Sequence, residues 1–197
     1  MSTLQEIRLG ENSSLSYLPQ FIATEKSSRL IEKWTKELNW EQSEISLFGR
    51  KVAIPRLHYW CGDQPYTYSG IRFEAVSWTT ELAELKAQVE QVSGLEFNSV
   101  LINWYRDGQD SMGWHSDDEK SLGEAPQIAS VSLGASRRFV LRKKSDHTNK
   151  KELLLTDGSL FLMLGETQKL WQHALPKTRK SVGDRINLTF RQIRHSL

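Results

Sequence analysis

RINLTFR, residues 185–191, alternates without a break: Ile186, Leu188 and Phe190 are apolar, and Arg185, Asn187, Thr189 and Arg191 are polar. Successive side chains of an extended strand point to opposite faces. The segment therefore predicts a strand with one face in a core and the other lining something polar. Working outward, SVLINWY (99–105), QIASVSLG (127–134), RRFVLRK (137–143), KELLLT (151–156) and SLFLML (159–164) are also short and rich in branched or aromatic residues. Turn signals such as Asp107-Gly108, Asp157-Gly158 and Gly183-Asp184 divide them. Short strands at this spacing predict a sandwich or barrel. Upstream, 24–39 reads as a helix with the stripe Leu30, Ile31, Trp34 and Leu38, and Thr24 is a plausible N-cap. Residues 80–93 read as a second helix capped by Thr80 and stopped by Gly94. The turn-rich, aromatic stretch 45–73 predicts hairpins. The expected fold is α+β: a double-stranded β-helix, or jelly roll, with flanking helices, forming a single domain over 1–197.

The chain has 197 residues, 38% hydrophobic and 25% charged, enough apolar material for a core. No apolar run approaches the ~18 residues of a bilayer-crossing helix, so no membrane partner is expected. A single cysteine, Cys61, excludes an internal disulfide, and the polar start MSTLQEIRLGENSS has no export pattern. The expected setting is reducing and cytoplasmic, or nuclear in a eukaryote, and nothing in the sequence demands more than a monomer. The net charge of +2 conceals an asymmetry. Residues 1–136 carry 12 Lys/Arg against 19 Asp/Glu, whereas 137–197 carry 14 against 5. Basic clusters at 137–151 and 177–180 suit phosphates.

His115-Ser116-Asp117 is the sharpest local feature. On an extended segment residues i and i+2 share a side, so an imidazole and a carboxylate can converge on one ion. A third ligand must come from another strand. His173 in WQHALP is the best candidate; His58, His147 and His195 are the alternatives. Two imidazoles and a carboxylate on one face of an octahedron leave three positions open, which suits non-heme Fe(II), a chelating cosubstrate and dioxygen. Zn(II) with one water could use the same side chains. The polar face of 185–191 carries two arginines, and Arg grips a carboxylate through a planar two-pronged contact. A dicarboxylic cosubstrate bound at one end by the metal and at the other by an Arg would fit. Asn103 and Tyr105, on one side of SVLINWY, can add hydrogen bonds to such an acid.

LINWYRDGQDSMGWHSDDE, IASVSLGASRRFVLR, GSLFLMLGETQKLWQHALPKT and RINLTFR together resemble the AlkB-type Fe(II)/2-oxoglutarate-dependent dioxygenases, across 98–193. PRLHYWCGDQPYTYSG resembles the nucleotide-recognition region of members that repair nucleic acid, in particular the subgroup acting on duplex DNA. The resemblance implies a catalytic core at 98–193, with helices and a nucleotide-recognition hairpin region in 1–97. It implies His115, Asp117 and His173 as Fe(II) ligands, and Arg185 for the distal carboxylate of 2-oxoglutarate with Asn103 and Tyr105 beside it. Asn187 would border the same pocket and Arg191 would lie nearer the metal. Asp118 and Glu119 match positions facing the damaged base, and Tyr66, Tyr68 and Ser69 match the recognition loop. Phe48, in Leu47-Phe48-Gly49, matches a wedge that fills the gap left by an extruded base. The implied activity is O2-dependent demethylation of 1-methyladenine and 3-methylcytosine in DNA, releasing formaldehyde, succinate and CO2. The alternatives are RNA, protein or a small molecule as the substrate of the same chemistry.

Overall fold

The computed structural model describes residues 3–10, 12–47, 50–68 and 71–194. In chain order the strands are β1 (Gln5–Gly10), β2 (Ser13–Leu18), β3 (Glu44–Leu47), β4 (Arg50–Ala53), β5 (Leu57–Gly62), β6 (Tyr66–Tyr68), β7 (Ile71–Phe73), β8 (Ser99–Tyr105), β9 (Met112–His115), β10 (Ile128–Gly134), β11 (Arg137–Lys143), β12 (Asp146–Leu155), β13 (Ser159–Gly165), β14 (Trp171–Leu175) and β15 (Arg185–Arg191). The helices are α1 (Thr24–Glu37), α2 (Thr80–Ser93) and α3 (Thr167–Leu170). A major sheet of order β1-β2-β13-β10-β15-β8-β5 faces a minor sheet of order β12-β11-β14-β9. This is the jelly roll that the strand pattern predicts. The hairpins β3–β4 and β6–β7 stand apart from both sheets as separate antiparallel pairs.

Strand alternation separates the core into two large clusters and a small one of Trp60, Leu101, Leu122 and Ile193. Ile186, Leu188 and Phe190 face away from the minor sheet and pack with Val100, Ile102, Val131 and Leu133 of neighbouring strands. Trp34 of α1 and Leu82, Leu85 and Val89 of α2 cover them. Burying each such side chain contributes about 1.5–3 kcal/mol, which fixes the register of β15. A one-residue slip would send its arginines into this layer. Between the sheets lies a second cluster of Leu15, Ile128, Leu141, Phe161, Met163 and Trp171. The polar cavity described below also lies between the sheets.

The structure corrects several expectations. The major sheet draws β1, β2 and β5 from upstream of residue 98, so the jelly roll begins well before that boundary. β1 is an edge strand in which Ile7 and Leu9, packed against the cluster between the sheets, alternate with exposed Glu6 and Arg8. β14 is the further strand that the third ligand called for, and it lies between β11 and β9. β12 starts earlier than expected, its polar half exposed but paired with β11. The caps also shift by one residue. Ala23, without a side-chain bond, precedes α1. Thr79 caps α2, its Oγ1 accepting from the Leu82 N–H at 3.3 Å. Gly94 ends α2 as expected, in the left-handed region at φ 69°. Among the described residues no helix is long and apolar enough to cross a membrane.

Candidate active site

β9 and β14 pair antiparallel with His115 directly opposite His173. Directly opposed residues share a face, so both imidazoles enter the space between the sheets, with ring centroids 4.2 Å apart. Asp117 lies two residues past the end of β9, beside them. The ligand atoms of His115, Asp117 and His173 all lie within 4.8 Å of one another. The other histidines stay apart. His58 is buried on β5 near Ser43 and Glu41. His147 is exposed on β12. His195 lies outside the described residues.

Hydrogen bonds hold each ligand. Gln168 of α3 accepts the Asp117 backbone N–H at 3.0 Å, and its own amide donates to the Met163 sulfur at 3.3 Å. Ser116 Oγ donates to the Trp171 carbonyl at 2.9 Å. His115 Nδ1 lies 2.9 Å from the Gly113 carbonyl. A carbonyl only accepts, so Nδ1 carries the proton and Nε2 keeps its lone pair for a metal. Phe139 stacks on His173 at 5.4 Å.

The protonation states suit metal binding. Burial pushes the His173 pKa down to about 3, helped by the neighbouring His115. Burial likewise lowers His115. Burial favours protonation of Asp117, but the Arg191 guanidinium and the two imidazoles outweigh it and hold the carboxyl at about 2. Arg191 donates to Asp117 Oδ1 at 2.6 Å. At neutral pH the cluster is two neutral imidazoles and one carboxylate. That donor set fits a divalent first-row ion with open positions.

Beyond the metal ligands, the polar face of β15 lines the same cavity with Asn103, Tyr105 and Ser130. Arg185 is 2% exposed and makes no ion pair among the described residues. Its NH2 donates to Ser132 Oγ at 2.9 Å and to Asn187 Oδ1 at 2.7 Å, and its guanidinium lies 5.2 Å over the Tyr105 ring. Its buried Nε has no partner. Burial lowers its pKa to about 10, still charged at neutral pH. A buried cation with an orphaned donor, facing a cavity that also holds a metal-ligand cluster, fits an acid with two carboxylates. Asn187 organises the wall: its Oδ1 also accepts from Ser130 Oγ at 3.0 Å, and its Nδ2 donates to Thr189 Oγ1 at 2.9 Å. Asn103 Oδ1 is taken by the buried Arg56, whose Nε donates at 2.9 Å. This leaves the Asn103 amide N–H groups for a ligand.

Sequence reasoning missed Arg56, Ser132 and Gln168. Ser130 and Ser132, spaced by two in an otherwise apolar strand, were the available signal for the first wall; Arg56 and Gln168 gave none.

The residues expected on the substrate side are spread out. Asp118 is exposed, turned out of the cavity and paired with Lys144 at 2.9 Å. Glu119 is half-buried, and its carbonyl accepts the Leu122 N–H at the short helical turn that follows. Neither lines the cavity. Tyr66 and Tyr68 lie on β6, but their side chains are outside the described residues, as are Ser69 and Phe48. The basic cluster needs correction. Arg137 is buried and donates to the carbonyls of Asp107, Asp110 and Pro176, each at 2.9 Å, bracing the loops beside Tyr105. Arg138 pairs with Glu152. Neither reads as a simple phosphate contact.

Comparison with known proteins agrees with this geometry. Residues 14–191 match the 2OG-Fe(II) oxygenase superfamily. The chain is 40% identical over 190 residues to the human "Alpha-ketoglutarate-dependent dioxygenase alkB homolog 3", covering 92% of this chain and 66% of that protein. The rat protein of the same name is also 40% identical, with 64% of it covered. The chain thus spans just under two thirds of these relatives. It is 36% identical over 215 residues to the Arabidopsis thaliana "DNA oxidative demethylase ALKBH2", covering 95% of this chain and 68% of that one. The solved structure of OsALKBH1 superposes with a TM-score of 0.67 at 18% identity, covering 96% of this chain and 99% of that one; this likeness concerns the fold alone.

Proposed function

The chain belongs to the 2OG-Fe(II) oxygenase superfamily, and from that premise we propose that it is an oxidative dealkylase of nucleobases. It removes methyl groups from 1-methyladenine and 3-methylcytosine in DNA, a direct reversal of alkylation damage. The observation that carries the cosubstrate assignment is Arg185, a buried guanidinium with an unpartnered Nε in the cavity of the His-Asp-His cluster. The nucleobase assignment is supported by the printed names of the relatives, AlkB homolog 3 and ALKBH2.

In this reading His115, Asp117 and His173 hold Fe(II). Arg185 takes the distal carboxylate of 2-oxoglutarate, with the Asn103 amide and Tyr105 hydroxyl as further hydrogen-bonding groups on that wall. Arg191 neutralises Asp117 and fixes the oxygen it offers. Gln168 sets the backbone behind it. Phe139 and Met163 give the cavity an apolar side that sheds water. With Fe(II), 2-oxoglutarate and dioxygen bound, the centre oxidises the cosubstrate to succinate and CO2 and places one oxygen atom in a C–H bond of the N-methyl group. The resulting N-hydroxymethyl group breaks its C–N bond, releasing formaldehyde and the unmodified base. Alkylation on the Watson–Crick edge makes both bases cationic. Asp118, adjacent to the ligand Asp117, can meet such a cation once Lys144 releases it.

The test is a matched panel of methylated single- and double-stranded DNA and RNA with Fe(II), 2-oxoglutarate and ascorbate. Expected is formaldehyde in step with succinate on methylated DNA and none on unmodified DNA. Succinate production that no methylated nucleic acid stimulates would refute the nucleobase assignment.

A further inference from the structure

Trp114 and Arg142 form a built feature that the chemistry above does not use. Trp114 sits on β9 between residues that line the cavity, but strand alternation turns it to the outer face of the minor sheet, where it is 37% exposed. The Arg142 guanidinium lies 4.3 Å over its ring. Gln172 locks that guanidinium, its Oε1 accepting from Arg142 Nε at 2.9 Å and NH2 at 2.8 Å. Arg142 makes no ion pair among the described residues, and Lys150, its cross-strand partner on β12, is exposed on the same face. A planar cation fixed on an indole presents an aromatic plane and a positive charge together.

Its place on the rim matters. β9 is the edge strand of the minor sheet. His115, on this strand, is the one ligand of the cluster that is only partly buried. Gly113 adds no side chain there, and a Cβ would meet nothing within 4 Å. A polymer whose target unit reaches the metal crosses this rim, and the next stretch of it meets the outer face.

We propose that Trp114 and Arg142 are a docking platform for single-stranded nucleic acid: an unpaired base beyond the immediate neighbours of the target nucleotide stacks on Trp114, and an adjoining phosphate meets Arg142. Unpaired bases stack on aromatic rings regardless of sequence, and a guanidinium edge suits a phosphate. A duplex, its bases already stacked, offers the phosphate but not the base. The inference rests on the nucleobase reading above, but its test needs no turnover.

The assay is fluorescence anisotropy with the protein loaded with Mn(II) and 2-oxoglutarate. The probes are a labelled single-stranded DNA oligonucleotide with a central 1-methyladenine, the same strand in a duplex, and a methylated trinucleotide too short to reach the platform. Trp114→Ala should weaken the single strand by roughly 5- to 150-fold. It should leave the trinucleotide unchanged and affect the duplex much less; Trp114→Phe should retain most of the affinity. Arg142→Ala should lower the slope of log affinity against log salt by about 0.7, the loss of one single-strand phosphate contact. Unchanged single-strand affinity in Trp114→Ala would overturn the proposal. So would an equal loss on the trinucleotide, which would mean that Trp114 acts through His115, or an equal loss on the duplex. A wild type that passes these binding arms but releases no formaldehyde would overturn the dealkylase reading and leave the platform standing.

Discussion

Replacing Arg185 with Met separates the cosubstrate anchor from the fold. Arg185 is buried with no carboxylate partner, so Met of similar length removes a desolvated charge, a change worth about 1–4 kcal/mol of stabilisation in favourable cases. Against that, Ser132 and Asn187 lose their bonds from NH2, which costs about 1–3 kcal/mol. The two nearly cancel, so the ligand-free variant should melt close to wild type. Binding should change far more. Two charge-assisted bonds to a carboxylate, at about 1.5–3 kcal/mol each, amount to a 10²-fold or greater rise in Kd for 2-oxoglutarate. Thermal unfolding with Mn(II) reads this through linkage. At 2-oxoglutarate about 100 times the wild-type Kd, wild type gains about 2.7 kcal/mol, or about 5–11 °C for a chain of this size. The variant, at or below its own Kd, gains less than about 0.5 kcal/mol, or about 2 °C at most. Equal 2-oxoglutarate shifts in the two proteins would refute the reasoning, because the guanidinium would then not contact the cosubstrate.

Asp117→Ala should abolish formaldehyde release while DNA binding survives. It also removes the carboxylate from buried Arg191, a loss of about 3–5 kcal/mol that a urea melt will show; residual formaldehyde would reject Asp117 as a ligand. Gln168→Leu takes the acceptor from the Asp117 N–H and should weaken metal binding by about 10- to 100-fold in a metal titration, with unchanged affinity arguing against a positioning role. For pH, the sign follows from His173, whose folded pKa of about 3 lies below the usual 6.5. Between those values the unfolded chain takes up a proton that the folded chain refuses, so the metal-free protein loses stability as pH falls through 6.5 toward 3. Melts from pH 7.5 to 5 should show a falling Tm that His173→Gln flattens; identical slopes in the two proteins would contradict it.

The polar face of β15 was legible because a period of two admits only one division of faces, and the apolar face had nowhere to go but the core. His115 and Asp117 were legible as a pair for the same reason, from their spacing of two. His173 was not fixed by spacing: it joins the pair through the β14–β9 register, a long-range pairing that no local pattern encodes. Arg137 shows the converse failure. In sequence it belongs to a basic cluster, and only the fold reveals that three carbonyls surround it. β1 was missed although Ile7 and Leu9 alternate with Glu6 and Arg8, because two apolar positions in a six-residue stretch are a weak local signal. Gln168 was invisible because its role depends on where α3 places one amide.

The most direct test of the central claim is crystallography on protein soaked anaerobically with Fe(II) and 2-oxoglutarate, using anomalous scattering at the iron edge. One iron peak is expected, bonded to His115, Asp117 and His173, with 2-oxoglutarate reaching from it to Arg185. An iron bound elsewhere, or a cosubstrate whose distal carboxylate avoids Arg185, would contradict it.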